Sequence, residues 1–257
     1  MNPECKQIRQ DILKVSKVSG HGHLPSCFSV VEILCAVYEW MKHDPGNPRS
    51  ADRDIFVLSK GHAALAHYCL LARLGYFSKQ KIEAFGSFRS DFGCHEDRLK
   101  VPGIEISTGS LGHGIGVAVG IALALKLKGS ERKVFVLIGD GESNEGTVWE
   151  AVGVAANLKL DHLTILFDFN KSQIRGLQIL KPAECFRSFG CQAIEVDGHD
   201  LDQLKQAISA DSDRPKVIVA QTQKGFGCRT LIENMHAWHR RAPSEKEFDM
   251  LMEELNA

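Results

Sequence analysis

Two polar side chains follow two successive apolar segments at positions where they could share one cation. Asp140 lies in a Gly-Asp-Gly triplet directly after the apolar segment 134–138, and Asn170 directly follows the apolar segment 163–169. If these segments are neighbouring parallel strands joined by one helix, both side chains lie at the same sheet edge, where open α/β sheets bind ligands. Two protein oxygens suit Mg²⁺, which completes its octahedral shell with waters and phosphate oxygens. The pattern predicts a magnesium site for a phosphorylated ligand.

The residues around Asp140 strengthen this interpretation. Gly139 and Gly141 allow the backbone to approach phosphate oxygens closely, and nearby helix N-termini favour an anion. A Gly-Asp-Gly triplet alone is equally typical of a plain turn between a strand and a helix. The pair Glu145-Gly146 and the later Asn170 favour the ligand site over the plain turn.

The elements that must position these residues follow an alternating pattern. Segments rich in Val, Ile and Phe without strict alternation are typical of parallel strands covered on both faces, and they lie at 55–58, 134–138, 163–169, 217–221 and, more weakly, 191–196. Helical segments lie between them, at about 62–74 and 147–158. Capping boxes at Ser29 to Glu32 and at Ser244 to Glu247 predict the starts of two further helices. The chain is therefore predicted to form a single α/β domain over 1–257, a doubly wound, mostly parallel sheet with helices on both faces, a helical N-terminal lead-in and a C-terminal extension.

Composition excludes several classes of protein. The formal net charge of −1 argues against a nucleic-acid-binding domain, which is usually strongly basic. The sequence contains neither a secretory signal nor an apolar stretch long enough to cross a bilayer, so no membrane partner is expected. The eight cysteines are scattered without a C-x-x-C pair. Reduced thiols in the cytoplasm are the simplest interpretation.

Histidines and glycines supply the remaining candidates. Seven of the 11 histidines lie in predicted loops or helix starts, where neutral imidazoles could bind hydroxyl groups and move protons: His21, His23, His62, His95, His113, His199 and His239. The other four are expected to be surface or core residues: His43, His67, His162 and His236. The glycine run 112–120 has the wrong spacing for a dinucleotide-binding loop. Gly116, Gly120 and Ala124 instead predict close packing of a helix against a neighbour.

The chain resembles a known family at several motifs. The Gly-Asp-Gly triplet, followed one strand later by Asn170, resembles the thiamine diphosphate signature of transketolases, pyruvate dehydrogenases and their relatives. Further segments resemble transketolase motifs in their order and spacing: Ser19-Gly20-His21, Ser59-Lys60-Gly61-His62, Cys94-His95-Glu96, Ser107 to Gly112, Lys224-Gly225 and Trp238 to Pro243. The segment His21 to Pro25 departs from the usual sequel to Ser-Gly-His, and His113 replaces a common glutamine.

The resemblance implies a cofactor and a set of site residues. The fold would be the diphosphate-binding (PP-type) domain of thiamine diphosphate enzymes, with Mg²⁺ held by Asp140, Asn170 and the backbone carbonyl of Ser172. Cofactor contacts would come from His62, Gly109, Ser110, Leu111, Gly139, Asp140, Gly141, Glu142 and Asn170. Glu145 would lie by the aminopyrimidine ring. His21 and His95 would face the C1 hydroxyl of the substrate, and His239 would be an acid–base group near its C3 hydroxyl.

The resemblance also implies a partner. It covers nearly the whole chain, but only the N-terminal half of a full-length transketolase. A second chain, expected in an α2β2 assembly, would carry the pyrimidine-binding domain and its catalytic glutamate. The pair would transfer a two-carbon ketol unit from a ketose, expected to be phosphorylated, to an aldose. Two alternatives remain open: the alpha subunit of a 2-oxo-acid dehydrogenase, and a non-catalytic regulatory subunit that retains the fold.

Overall fold

Five parallel strands form one sheet at the centre of the chain. The structure is a computed structural model that describes residues 1–257 apart from the side chain of Arg175. The strands lie in the order β1-β2-β3-β5-β4, and their bounds are β1 Ile55–Leu58, β2 Val134–Gly139, β3 Leu163–Phe169, β4 Gln192–Asp197 and β5 Lys216–Gln221. Every neighbouring pair is parallel. All five predicted strands are present, with bounds that differ by at most one residue.

The sheet is buried on both faces, because successive side chains of each strand point in opposite directions. In β2, Val134, Val136 and Ile138 pack into one apolar cluster, whereas Phe135 and Leu137 pack into the other. Both sets are almost fully buried. This arrangement explains why the strand sequences are continuously apolar rather than alternating.

Ten α-helices in the described part of the chain cover the two faces. The first face carries α1 Pro3–Ser19, α2 Leu24–Phe28, α3 Val31–Trp40, α4 Ala64–Arg73, α8 Leu201–Ser209, α9 Arg229–Glu233 and α10 Glu245–Asn256. The second face carries α5 His113–Leu127, α6 Gly146–Asn157 and α7 Pro182–Ser188. The predicted doubly wound α/β fold is thus confirmed. None of these described helices is long and apolar enough to cross a membrane.

The two predicted capping boxes have different outcomes. At α10, Ser244 and Glu247 form the capping box as predicted. At α3 the prediction is wrong, because the N-cap residue is Val30 and no side chain caps the helix. The Ser29 hydroxyl instead donates to Asp168 (2.9 Å), and Glu32 accepts two hydrogen bonds from Arg9. Hydrogen bonds to residues far along the chain therefore replace the local capping hydrogen bonds.

The packing predicted for α5 is also wrong within this chain. A methyl group built on Gly116 or Gly120 would have no atom within 4 Å, and both residues are exposed. On the same helix the Val117 side chain is 44% exposed. The helix is apolar on its outer as well as its inner face, which is typical of helices covered on both sides.

Candidate functional site

A cavity of about 400 Å³ lies at the carboxyl ends of β2 and β3. Gly139 is paired in register with Asp168 on the neighbouring strand, so the residues that follow each strand come together there. The cavity is lined by Lys60, His62, Leu111, Gly139, Asp140, Gly141, Glu142, Asn170, Ser172, Lys224, His236 and His239. Strand ends are where open α/β sheets bind ligands, and all of the lining residues except Lys60, Lys224 and His236 were predicted as site residues from the sequence.

Asp140 presents one unsatisfied oxygen to this region. Its Oδ1 atom accepts hydrogen bonds from the Gly141 N–H (2.7 Å) and from the Ser172 hydroxyl. Its Oδ2 atom is buried and has no hydrogen-bond partner among the described residues. Burial raises the pKa of this carboxyl, as does the nearby Asp168, although the hydrogen bond from Ser172 opposes the rise. A buried carboxylate oxygen without a partner is costly, so this atom fits a cation ligand.

Asn170 is oriented by its neighbours. Its amide nitrogen donates to Asp168 Oδ2 (2.8 Å) and to the Ser29 hydroxyl (3.2 Å). Its amide oxygen accepts from the Ser172 N–H (3.0 Å). Ser172 therefore links Asp140 and Asn170, and the three predicted magnesium ligands lie together. Among the described residues no group of three His, Cys, Asp or Glu side chains could hold a metal, so a cation here would depend on these oxygens and on its ligand, as Mg²⁺ does.

Asp168 is the buried centre beneath the site. Its carboxylate accepts hydrogen bonds from the Lys60 ammonium, the Thr222 and Ser29 hydroxyls and the Asn170 amide. Lys60 and Asp168 are almost fully buried. Sequence reasoning assigned no role to either residue. The available signal was a charged residue inside an apolar strand together with a lysine two residues after the end of another strand.

Glu142 joins separate segments of the protein at the cavity wall. One oxygen accepts from the Ser59 hydroxyl and the Gly112 N–H (2.9 Å), and the other accepts from the Gly139 N–H (3.2 Å). Both oxygens are therefore used to join three separate segments. Glu142 also lines the cavity, and its predicted contact with a cofactor stays a prediction.

The segment before α5 approaches the site through glycines. Gly112 has a φ of +79°, and a methyl group there would lie 2.4 Å from the Thr147 hydroxyl and 2.7 Å from the Glu145 Cβ. Only glycine fits this position without strain. Leu111, directly before it, lines the cavity. Ser110 is exposed and contacts His113 (3.2 Å), which is also exposed.

Three imidazole rings lie together at the cavity. The His23 ring centre is 5.4 Å from that of His62 and 5.5 Å from that of His239. Burial lowers the pKa of His23 to about 4, and the charges of His239, His95, Arg240 and Lys224 contribute. Burial likewise lowers the pKa of His62 and of His239. Near neutral pH these rings are uncharged, so each can both donate and accept a hydrogen bond.

His21 lies outside this cluster. It is exposed, and its ring packs against Gly86. The two histidines are separated by one glycine, and the motif match selected the first of them. The structure brings His23 to the cluster instead. The predicted contact of His21 with the substrate stays a prediction.

The remaining residues near the site differ in whether they line the cavity. The His95 ring packs against Gly109, and burial lowers its pKa. Glu145 is exposed at the N-cap of α6 and does not line the cavity. His236, interpreted from the sequence as a surface or core residue, lines the cavity. Burial and the Lys60 charge lower the pKa of Lys224 to about 8.

Comparison with known proteins agrees with this geometry. Residues 5–256 match the family model described as Transketolase, thiamine diphosphate binding domain. The chain is 37% identical to one subunit of the apulose-4-phosphate transketolase of Actinobacillus succinogenes, over 99% of this chain and 95% of that one. It is also 37% identical to the 6-deoxy-6-sulfo-D-fructose transketolase subunit SqwG of a Clostridium species, over 98% and 94%.

The fold matches solved transketolases. The transketolase of Campylobacter jejuni superposes with a TM-score of 0.92 at 28% identity, covering all of this chain but 43% of the other. The chain thus spans less than half the length of that enzyme. It belongs to the transketolase family and comprises the thiamine diphosphate binding domain. The resemblance stated from the sequence is confirmed, and both relatives above are transketolase subunits, which does not favour the dehydrogenase alternative.

Proposed function

We propose that this chain is the diphosphate-binding subunit of a two-chain transketolase. Its partner would carry the pyrimidine-binding domain and a catalytic glutamate, and the pair would move a two-carbon ketol unit from a ketose to an aldose. The observation that carries the proposal is the unsatisfied Asp140 Oδ2 beside the oriented Asn170 amide at one cavity. Relatives that are themselves named as single subunits of a transketolase, and that this chain matches over nearly their whole length, support it.

Asp140, Asn170 and the Ser172 carbonyl are the proposed ligands of Mg²⁺. The cation would attach the cofactor diphosphate to the strand ends, near Lys224, which also lines the cavity. The Lys224 ammonium and a divalent metal suit a diphosphate anion. Thiamine diphosphate, when bound, supplies the electron sink for cleaving the carbon–carbon bond of a ketose.

The uncharged imidazoles are proposed to bind the substrate. His23, in place of His21, and His95 would contact hydroxyl groups of the sugar, and His239 would hold or accept a proton during bond cleavage. The lowered pKa values support this role, because a neutral ring can accept a proton whereas a charged ring cannot. One relative acts on a phosphorylated sugar and another on a sulfonated one, by their names, so we propose an anionic ketose as the donor.

The partner is proposed to cover exposed apolar side chains on α5 and on the loop that follows Asn170. Besides Val117, the loop after Asn170 exposes Ile174 (50%), Leu177 (77%) and Leu180 (82%). The Asn144 amide donates to the Leu177 carbonyl (2.9 Å), which fixes this loop next to Glu145. Exposed apolar patches of this kind mark interaction sites. Glu145 would then meet the aminopyrimidine or the partner at the interface of an α2β2 assembly.

Reconstitution tests the proposal. The purified chain is expected to be inactive, and adding the partner with thiamine diphosphate and Mg²⁺ should produce ketol transfer from a panel of ketoses. Asp140→Ala should abolish Mg²⁺-dependent retention of the cofactor while the complex still assembles. Transfer by an assembled Asp140→Ala complex at the wild-type rate would refute the proposed site. An assembled wild-type pair that retains the cofactor without any transfer would instead indicate a regulatory subunit.

Cysteine usage supports a location for the enzyme. The eight cysteines of the sequence are free thiols, and most of them are buried. Free thiols persist in reducing compartments. We therefore propose a cytoplasmic enzyme.

A further inference from the structure

Lys224 reaches the cavity from the corner of a tight turn after β5. The Phe226 N–H donates to the Gln223 carbonyl (3.0 Å), which closes a four-residue turn around Lys224 and Gly225. Gly225 has a φ of +86°, the conformation that this position of a type II turn requires. The Gly225 N–H also donates to the Pro25 carbonyl (3.0 Å). The direction in which Lys224 points therefore depends on how this turn is held.

One imidazole holds both ends of the turn. The Gln223 N–H donates to Nε2 of His199 (2.8 Å). The Phe226 ring stacks on the same imidazole, with ring centres 3.6 Å apart and planes at 10°. His199 follows β4, so it joins the end of one strand to the loop that follows its neighbour β5. From the sequence, His199 was only one of the seven histidines in predicted loops or helix starts.

The tautomer of His199 follows from these contacts. A backbone N–H can only donate, so Nε2 must be the acceptor and the ring proton must lie on Nδ1. Nδ1 then donates to Glu32 Oε2 (3.0 Å). Glu32 is fixed by Arg9, which donates to both carboxylate oxygens at 2.6 Å and to the Phe28 carbonyl at 2.7 Å. Arg9 and Glu32 are almost fully buried.

From this arrangement we infer that His199 is a positioning residue for Lys224. It fixes the Gln223–Phe226 turn, and Glu32 and Arg9 fix His199, so that the Lys224 ammonium is held at the diphosphate end of the cavity. The inference rests on the proposed function, since it assigns a purpose to Lys224 in binding a diphosphate. A purely structural role for His199 makes a different prediction, namely that its loss weakens the fold but is not coupled to Lys224.

A double-mutant cycle separates the two roles. The affinity of the two-chain complex for thiamine diphosphate with Mg²⁺ is measured for wild type, His199→Phe, Lys224→Met and the double variant. Phenylalanine keeps the stack on Phe226 but removes both hydrogen bonds. Each single variant should weaken binding on the order of tenfold to hundredfold, the range for a hydrogen bond to a charged group. The double variant should bind as Lys224→Met does, because His199 acts through Lys224. A double variant whose loss of affinity equals the product of the two single losses would overturn the inference.

His199→Gln provides the conservative variant. Its amide oxygen can accept from the Gln223 N–H while its amide nitrogen donates to Glu32, so it should keep most of the affinity even if His199→Phe folds poorly. A His199→Gln complex that binds as weakly as Lys224→Met would contradict the inference. His162→Asn is the matched control, because His162 also makes a buried hydrogen bond, to the Ala122 carbonyl (2.8 Å), but does not line the cavity.

A second readout needs no cofactor. Competitive acetylation of the full chain, followed by mass spectrometry across pH, reports the titration midpoint of each lysine. Burial lowers the pKa of both Lys224 and Lys216 to about 8. Releasing the turn in His199→Phe should raise the midpoint of Lys224 toward the ordinary 10.5 and leave Lys216 unchanged as an internal control. An unchanged Lys224 midpoint would overturn the inference. A wild-type complex that binds no thiamine diphosphate would refute the proposed function, and the labelling alone would then decide whether His199 positions Lys224.

Discussion

Replacing Lys60 by methionine should destabilise the chain far more than the loss of one ion pair at the surface. The Lys60 ammonium and the Asp168 carboxylate are 1% and 0% exposed. Methionine preserves the length of the side chain but leaves the carboxylate buried without a counter-charge. Breaking a buried pair in this way costs about 3–5 kcal/mol. For a domain of this size, that lowers the melting temperature on the order of 10 °C.

Urea denaturation of four variants measures this effect. Lys60→Met alone is compared with Asp168→Asn alone, with both together and with wild type. Because the double variant contains neither charge, the two losses should be coupled by at least about 2 kcal/mol. Lys79→Met is the control, since Lys79 is 52% exposed in its ion pair with Asp11 and should cost less than about 1 kcal/mol. A loss below about 1 kcal/mol for Lys60→Met, or additive losses, would refute the reasoning.

Three further predictions concern the histidines, the buried glutamate and the outer surface. In the reconstituted enzyme, His23→Asn should lower kcat/KM at least about a hundredfold. Replacing the exposed His21 by Asn should change kcat/KM little. The opposite order would favour His21, the histidine that matches the family motif, as the substrate contact. For Glu32, burial alone would raise the pKa, but hydrogen bonds from His199 and Arg9 lower it to about 2 from 4.5. A lowered pKa stabilises the fold above pH 4.5 by about 3 kcal/mol, and this is lost as the pH falls toward 2. Urea denaturation across pH should therefore show the difference between wild type and Glu32→Gln shrinking between pH 4.5 and 2; a constant difference would contradict the assignment. Val117→Lys should leave the unfolding free energy within about 0.5 kcal/mol of wild type. It should nevertheless prevent assembly with the partner, as measured by analytical ultracentrifugation. The control Glu131→Lys, at an exposed position beyond the same helix, should assemble normally.

The fold could be predicted because its determinants are local. The apolar strand segments are continuous, and a strand buried on both faces needs little else to be identified. Asp140 and Asn170 could be placed together because consecutive parallel strands joined by one helix are neighbours in most sheets. The register of Gly139 with Asp168 confirms that placement. The site was thus predictable where it depends on the ends of adjacent strands.

The remaining site residues depend on contacts between distant segments. Ser29 and Glu32 have the spacing of a capping box, yet they bind Asp168 and Arg9. Glu142 was singled out as a cofactor contact, and its hydrogen bonds to Ser59 and Gly112 could not be predicted. No local pattern distinguishes these uses, because each hydrogen bond is chosen by a partner far along the chain. The prediction of a single domain over 1–257 stays a prediction.

The hydrogen bonds of Asp168 restrict which substitutions this chain can tolerate. Its carboxylate accepts hydrogen bonds from Ser29, Lys60, Asn170 and Thr222. The orientation of Asn170, a proposed metal ligand, therefore depends on Asp168 and on three further side chains, none of which is a proposed ligand of the metal. A harmful substitution at Ser29 or Thr222 would then lower cofactor binding, although neither residue is a proposed contact of the cofactor. A survey of tolerated substitutions should therefore find Ser29 and Thr222 nearly as restricted as Asp140.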